Sequence, residues 1–406
     1  MRKIQQSTPL DTTMSIGERR LHAWFLPLLW LIFASTFFSA CAPTTNLLGS
    51  GSWEAFSLTR QHIHALAVDP THQQTLYAGD EDGTIFKTSD AGLHWTKQAS
   101  ISSTATTLFS LTIAPSGKTL YALASDGLLV SSDAAQTWNR VNTAKSGLPV
   151  DTCTTLVFDG QKSLYLGTLR HGVFMISDGE QWKSISGTLP RDTAINELAY
   201  DSVQHRLWAA TSSGVYRSDN EGTNWNALNT GLSVADGVTT IQAAANAGGD
   251  VAQVYAGTKH GIFRSTDSGM HWTAAGQLLQ GVSIQHVLID YRSTNAATVY
   301  VGTPFGAFRS DDSGQNWRGV GGGLPEHTPV YALVIGGDNA SQLYAAVNNV
   351  YVFPGSNSGI TPTRVITLLL ALLLFVLLFF IAQRGVRRRK TLLKPVGDAN
   401  IHPKKD

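Results

Sequence analysis

Short apolar runs recur along the middle of this chain, each followed by turn residues and further half-apolar runs. HALAVDP (64–70), FSLTIAP (109–115), NELAYDS (196–202), QHVLIDY (285–291) and YALVIGG (331–337) read as strands buried on both faces. Each is followed by a strand with an aromatic at one fixed place: Tyr77, Tyr121, Tyr165, Trp208, Tyr255, Tyr300 and Tyr344. Five to seven residues later stands a turn residue, Gly83, Gly127, Gly172, Gly214, Gly261 or Gly306, with Asn349 in the last unit. Glycine and asparagine tolerate the positive φ that tight hairpins require. A third strand such as TIFKTSD or GIFRSTD comes next, and a short loop then leads to a tryptophan.

Those tryptophans stand at 53, 95, 138, 182, 225, 272 and 317, at intervals of 42, 43, 44, 43, 47 and 45 residues. A strand-rich period of that size is one four-stranded propeller blade. The chain opens with a lone tryptophan strand, WEAFSL (53–58), and closes with three strands ending at Phe353. Pairing the opening strand with the closing three completes a ring and removes a free sheet edge. The pattern predicts an all-β fold, a seven-bladed β-propeller over residues 53–353.

The loop before the tryptophan carries a family signature. TSDAGLHW (88–95), STDSGMHW (265–272) and SDDSGQNW (310–317) fit Ser/Thr-x-Asp-x-Gly-x-x-Trp. SSDAAQTW (131–138), SDNEGTNW (218–225) and the shortened ISDGEQW (176–182) are degraded copies in register. The motif resembles the Asp-box, or bacterial neuraminidase repeat. Its carriers here are Asp90, Gly92 and Trp95; Asp133 and Trp138; Trp182; Asn220, Gly222 and Trp225; Asp267, Gly269 and Trp272; and Asp312, Gly314 and Trp317. Their expected role is structural. The Asp or Asn side chain accepts backbone N–H groups two residues on, glycine supplies an unusual conformation, and tryptophan packs between blades. The tandem YAGT…GIFRS…W style is similar to the photosystem II stability/assembly factor family and, in a larger version, to sortilin-type receptors. That resemblance implies a binding or assembly scaffold without catalysis.

Sialidases share the repeat, so the alternative is an exo-acting glycoside hydrolase. The resemblance to sialidases implies an arginine triad, a tyrosine nucleophile with a glutamate, and an aspartic acid. Their Arg-Ile-Pro sequence is absent, and their propellers have six blades. Arg217, Arg264 and Arg309 occupy one place in three successive third strands and read as repeat decoration. A sialidase-like site would instead need Arg60, Arg170 and Arg191 to converge on an acidic pair. His62, His64 and His286 lie on or beside inner strands and read as ordinary channel or core residues, not metal ligands. No phosphate loop, His-Glu-x-x-His or Gly-x-Ser-x-Gly appears, and no cofactor is expected.

Outside the repeats, residues 21–40 and 365–382 are apolar and uncharged, long enough to span a bilayer. Arg19 and Arg20 precede the first, and Arg384, Arg387, Arg388, Arg389 and Lys390 follow the second. The positive-inside rule puts both ends in the cytoplasm and the propeller outside. The first segment ends FSAC, which resembles a lipobox apart from Phe38. Cys41 is then either lipidated after cleavage or preceded by an uncleaved anchor. The expected organisation is 1–41 signal or anchor, 42–52 linker, 53–353 propeller, 354–364 linker, 365–382 membrane helix and 383–406 basic tail. The other cysteine, Cys153, reads as a buried core residue. Net charge is +1, which gives no reason to expect nucleic acid as a partner.

Strand alternation places the box loops, the first-to-second-strand loops and both chain ends on one face. The second-to-third-strand loops and the connections between blades share the other. The ends lead to the membrane, so the second face looks outward and is the expected docking surface for a protein or glycan partner. It carries Asp80, Glu81, Asp82, Asp126, Arg170, His171, Lys259, His260 and Phe305 within blades. Asp151, Arg191, Asp192, Asp236, Glu326 and His327 lie between them.

Overall fold

The computed structural model describes residues 52–354, apart from 57, 59, 60, 102–106, 150–152, 178–180, 234–236, 245–252, 291–297, 326 and 338–341. Its strands form seven four-stranded antiparallel sheets. The inner strands are Ile63–Val68, Leu108–Ile113, Cys153–Phe158, Ile195–Asp201, Thr240–Ala244, His286–Asp290 and Ala332–Gly336, which head blades 1 to 7. Each contacts the inner strand of the next blade, and that of blade 7 contacts that of blade 1. The ring is therefore closed, and the apolar runs read from the sequence are its inner wall. A four-residue helix, Thr143–Ser146, lies between blades 2 and 3 and was not expected.

Blade 7 is completed by the start of the chain. Glu54 and Ala55 pair with Val352 and Tyr351 as its outer strand. Trp53 is buried at 4% exposure, packs on Phe353 with ring centroids 5.5 Å apart, and donates from Nε1 to the Val320 carbonyl of blade 6 at 2.5 Å. The two described ends of the propeller thus lie side by side. The expected signal or anchor, the Cys41 lipidation site and the membrane segments fall outside the described residues. Among the described residues no helix is long and apolar enough to cross a membrane.

The box loops repeat one hydrogen-bond pattern. In blade 1 the Thr88 hydroxyl donates to Asp90 Oδ1 at 2.7 Å and accepts the Gly92 N–H at 3.0 Å. Asp90 accepts the His94 N–H at 2.9 Å. The same bonds recur at Ser131/Asp133, Ser218/Asn220, Ser265/Asp267 and Ser310/Asp312. This corrects the expected turn. The carboxylate reaches the N–H four residues on, and the Ser or Thr hydroxyl holds the glycine N–H. Ala135, in place of a glycine, still adopts a φ of 71°. Three of the box tryptophans fasten blades: Nε1 of Trp225, Trp272 and Trp317 donates to Ile185, Leu228 and Ala275 of the preceding blade at 2.9, 2.8 and 2.8 Å, whereas Nε1 of Trp95 and Trp138 is buried without a partner.

Asn349 differs from its glycine counterparts. Its φ is not positive; instead its amide donates to the Phe56 carbonyl at 2.8 Å and helps fix the closing strand. Cys153 is half-buried, not fully buried, because it stands where an inner strand meets a surface crevice. Burial pushes its thiol up to about 11, so the thiolate is not accessible near neutrality.

Candidate functional site

The seven inner strands enclose a cavity of about 320 Å³ that opens on the face of the blade connections. Strand pairing with the seven fixed aromatics puts the inner strands in register. Two tiers of equivalent side chains follow. The outer tier is His64, Phe109, Thr154, Asn196, Thr239, Gln285 and Tyr331. The tier beneath is Ala65, Ser110, Thr155, Glu197, Thr240, His286 and Ala332. In blades 1 to 4 a β-bulge falls at the outer-tier residue.

An inner strand leaves one row of N–H and C=O groups without a strand partner. Blades 4 to 6 have part of that row satisfied by side chains of the preceding blade. Thr154, Asn196 and Thr239 donate to the carbonyls of Ile195, Val238 and Ile284 on the next blade, at 2.5, 2.7 and 2.7 Å. In the lower tier Thr155 accepts the Leu198 N–H at 3.3 Å and Glu197 accepts the Ile241 N–H at 2.9 Å. Gln242 also donates to Glu197, at 3.1 Å. This half of the ring is a polar seam between blades.

Blades 6, 7, 1 and 2 carry a different arc. His64 stacks on Tyr331 with centroids 4.3 Å apart, Phe109 is 52% exposed and Tyr331 37%. His286 lines the cavity, and its Nδ1 is buried without a hydrogen-bond partner. Burial lowers the His286 ring to about 4, so it is neutral near pH 7. Burial also raises Glu197 to about 7, against the pull of the hydrogen bonds it accepts.

The sequence reading put His62, His64 and His286 on or beside inner strands; His64 and His286 lie on them, His62 just precedes one, and His286 lines the cavity. Among the described residues no group of three or more His, Cys, Asp or Glu could hold a metal. Glu197, Phe109, Gln285 and Tyr331 were missed. The signal for Glu197 was an acid inside the run NELAYDS, at a register position where the other blades carry Ala, Ser, Thr or His.

The expected docking residues divide. Arg170, His171, Arg191, Asp192, Lys259, His260, Phe305, His327 and Asp82 are exposed, and Glu81 is half-buried. Asp80 is a correction: it is 1% exposed and staples its own turn, accepting the Asp82 and Thr84 N–H groups at 3.0 and 2.6 Å. Asp126 is paired with Arg140 beside a second cavity of about 410 Å³ between blades 2 and 3. Asp151, Asp236, Glu326 and Arg60 fall outside the described residues. Neither cavity includes Arg170 or Arg191. Arg217, Arg264 and Arg309 each stand across the sheet from the fixed aromatic of their own blade, and Arg217 and Arg309 lie over Trp208 and Tyr300. They decorate the repeat and do not converge.

Ring closure and the central channel place the chain in a class: it is a seven-bladed β-propeller. Residues 44–169 match the family described as DUF6242 beta propeller domain. A probable oligoxyloglucan-reducing end-specific xyloglucanase of Neosartorya fischeri is 27% identical over 171 residues, covering 39% of this chain and 21% of that protein. The chain thus spans about a fifth of the length of that curated relative. Among solved structures, YCF48 bound to D1 peptide superposes with a TM-score of 0.59 at 16% identity, over 77% of this chain and 99% of that one. The GH74 xyloglucanase from Xanthomonas campestris superposes with a TM-score of 0.53 at 17% identity, over 75% of this chain and 52% of its own. Both likenesses establish the fold.

Proposed function

We propose that the chain is a membrane-anchored binding scaffold, with its propeller outside the cytoplasm and a protein partner docked on the channel-mouth face. One observation carries this reading. Of the exposed large apolar side chains among the described residues, Phe109, Leu169, Leu278, Phe305 and Tyr331 belong to that face, and Leu93, Val203 and Met270 to the box face. Apolar groups gathered on one face of a rigid scaffold mark an interaction surface. The structural neighbour carrying a bound D1 peptide supports a protein partner. The apolar segment 365–382 with its basic flank supports the anchor.

Photo-crosslinking residues placed at 171, 260 and 305 of the membrane-bound chain are expected to give discrete protein adducts. The same residues at 93 and 270 are expected to give none beyond lipid. The reverse pattern overturns the docking face, and adducts made of polysaccharide would move the reading to a glycan.

The xyloglucanase match favours a second reading, glycoside hydrolysis. That chemistry ordinarily needs two carboxyl groups about 5–10 Å apart. Among the described residues each of these two cavities holds one carboxylate, Glu197 or Asp126, and Asp126 is engaged by Arg140. The full chain is expected to leave xyloglucan oligosaccharides and sialosides intact. Turnover lost on Glu197→Gln would replace the scaffold reading with an enzyme.

A further inference from the structure

Glu197 is in an unusual position for an acid. It stands on the wall of an open cavity, and among the described residues no cation pairs with it. Its hydrogen-bond donors, the Ile241 N–H and the Gln242 amide, are neutral. Buried or half-buried charges are normally paired. Across the ring, the outer tier offers the Phe109 ring and the stacked His64–Tyr331 pair. Aromatic faces attract cations through their quadrupole, most strongly where water is excluded. A carboxylate without a counter-charge and an aromatic arc, lining one cavity, are complementary to the same chemical group.

We propose that the channel mouth is a binding site for an organic cation, an ammonium or guanidinium group seated between Glu197 and the aromatic arc formed by Phe109 and Tyr331. The site deepens the docking reading, on which it rests for its biological source: a lysine or arginine side chain of the docked partner. The cation supplies the charge that Glu197 lacks, and the apolar stem of such a side chain lies against the rings. Neutral His286 adds no competing positive charge on the wall.

Binding depends on pH in a defined direction. The titratable groups on or beside the channel wall are Glu197, His286 and Tyr331, then His64 stacked on Tyr331 with its neighbours His62 and Glu81, and Cys153 at the head of its inner strand. His286 is held at about 4 and Cys153 at about 11, both by burial. Burial also lowers His64 below its usual value, against the nearby charge of Glu81. Glu197, held at about 7, changes charge between pH 6 and 8. It is protonated below that point and ionised above it, so cation binding strengthens as pH rises, and the bound cation in turn favours ionisation.

The test uses the full chain in a nonionic detergent, with N-acetyl-lysine methylamide and its uncharged deamino analogue N-acetyl-norleucine methylamide as probes. Ligand-detected NMR titrations read the two affinities. At pH 8 the lysine probe is expected to bind about tenfold tighter than the norleucine probe, a factor equivalent to one pKa unit of differential interaction. The preference should shrink at pH 6 and vanish in Glu197→Gln. Phe109→Ala, at an exposed position that folding tolerates, should weaken both probes and leave the pH dependence in place. Butylammonium separates sources: binding equal to the lysine probe assigns the site to free amines, and weaker binding assigns it to a lysine side chain. Equal affinity of the lysine and norleucine probes, or a preference that survives Glu197→Gln with an unchanged thermal midpoint, overturns the proposal. Failure of the crosslinks with a retained lysine preference removes only the docking reading.

Discussion

Deleting residues 53–58 is expected to lower the thermal midpoint of the propeller by more than about 10 °C. The lost segment is short, but it completes blade 7 and seals it to both neighbours. Trp53 and Leu58 are buried, and Phe56 packs on Tyr344 of blade 7 and Trp95 of blade 1 with centroids 6.2 and 6.4 Å apart. Removing a buried tryptophan alone costs about 3–5 kcal/mol. The deletion also strips Val352 and Tyr351 of their strand partners and leaves a free edge on blade 7. Calorimetry on the full chain and the deleted chain gives the comparison. A second deletion of the same length, residues 2–7, serves as a length control. Equal midpoints for the 53–58 deletion and the parent would mean that blade 7 stands without its outer strand.

Ring closure was legible because it follows from arithmetic on the repeat: seven tryptophan strands offset by one from seven inner strands. The box loops were legible as turns, but the details of their bonding were not. Sequence places Asp90 two residues before Gly92, which suggests a local Asx turn; the fold instead routes the glycine N–H to Thr88 and carries the carboxylate on to His94. Asp80 shows the opposite error. A turn with four acidic or polar residues looks solvent-facing, yet Asp80 turns inward because two backbone N–H groups of its own hairpin need an acceptor. The channel site was the least legible part. Its residues come from different blades and are brought together only by the ring. Phe109 and Tyr331 look like ordinary strand hydrophobics until closure puts them at the rim.

Gly257→Leu is expected to destabilise the propeller by about 3 kcal/mol, at the upper end of overpacking costs. Gly257 lies two residues after the fixed aromatic Tyr255, where a Cβ would stand 2.4 Å from Thr240 Cγ2 and 2.8 Å from Ile284 Cγ2. The same position is Gly79, Gly167 and Gly302 in other blades, and each faces a large first residue of the next blade: Leu108, Ile195 or Val330. Blade 2 shows how the repeat escapes the constraint. There the position is Leu123, the strand partner is Ser110, and the next blade offers Cys153, packed in the same cluster as Leu123. Volume is thus exchanged across the blade boundary, large for small, at constant packing. Copying that arrangement into blade 5, as Gly257→Leu with Thr240→Ser and Ile284→Cys, is expected to recover most of the lost stability. Denaturant unfolding of the single, double and triple variants measures the coupling, which should exceed about 1 kcal/mol for residues in contact. Additive losses across the three substitutions would show that the glycine serves the strand itself and not its neighbour.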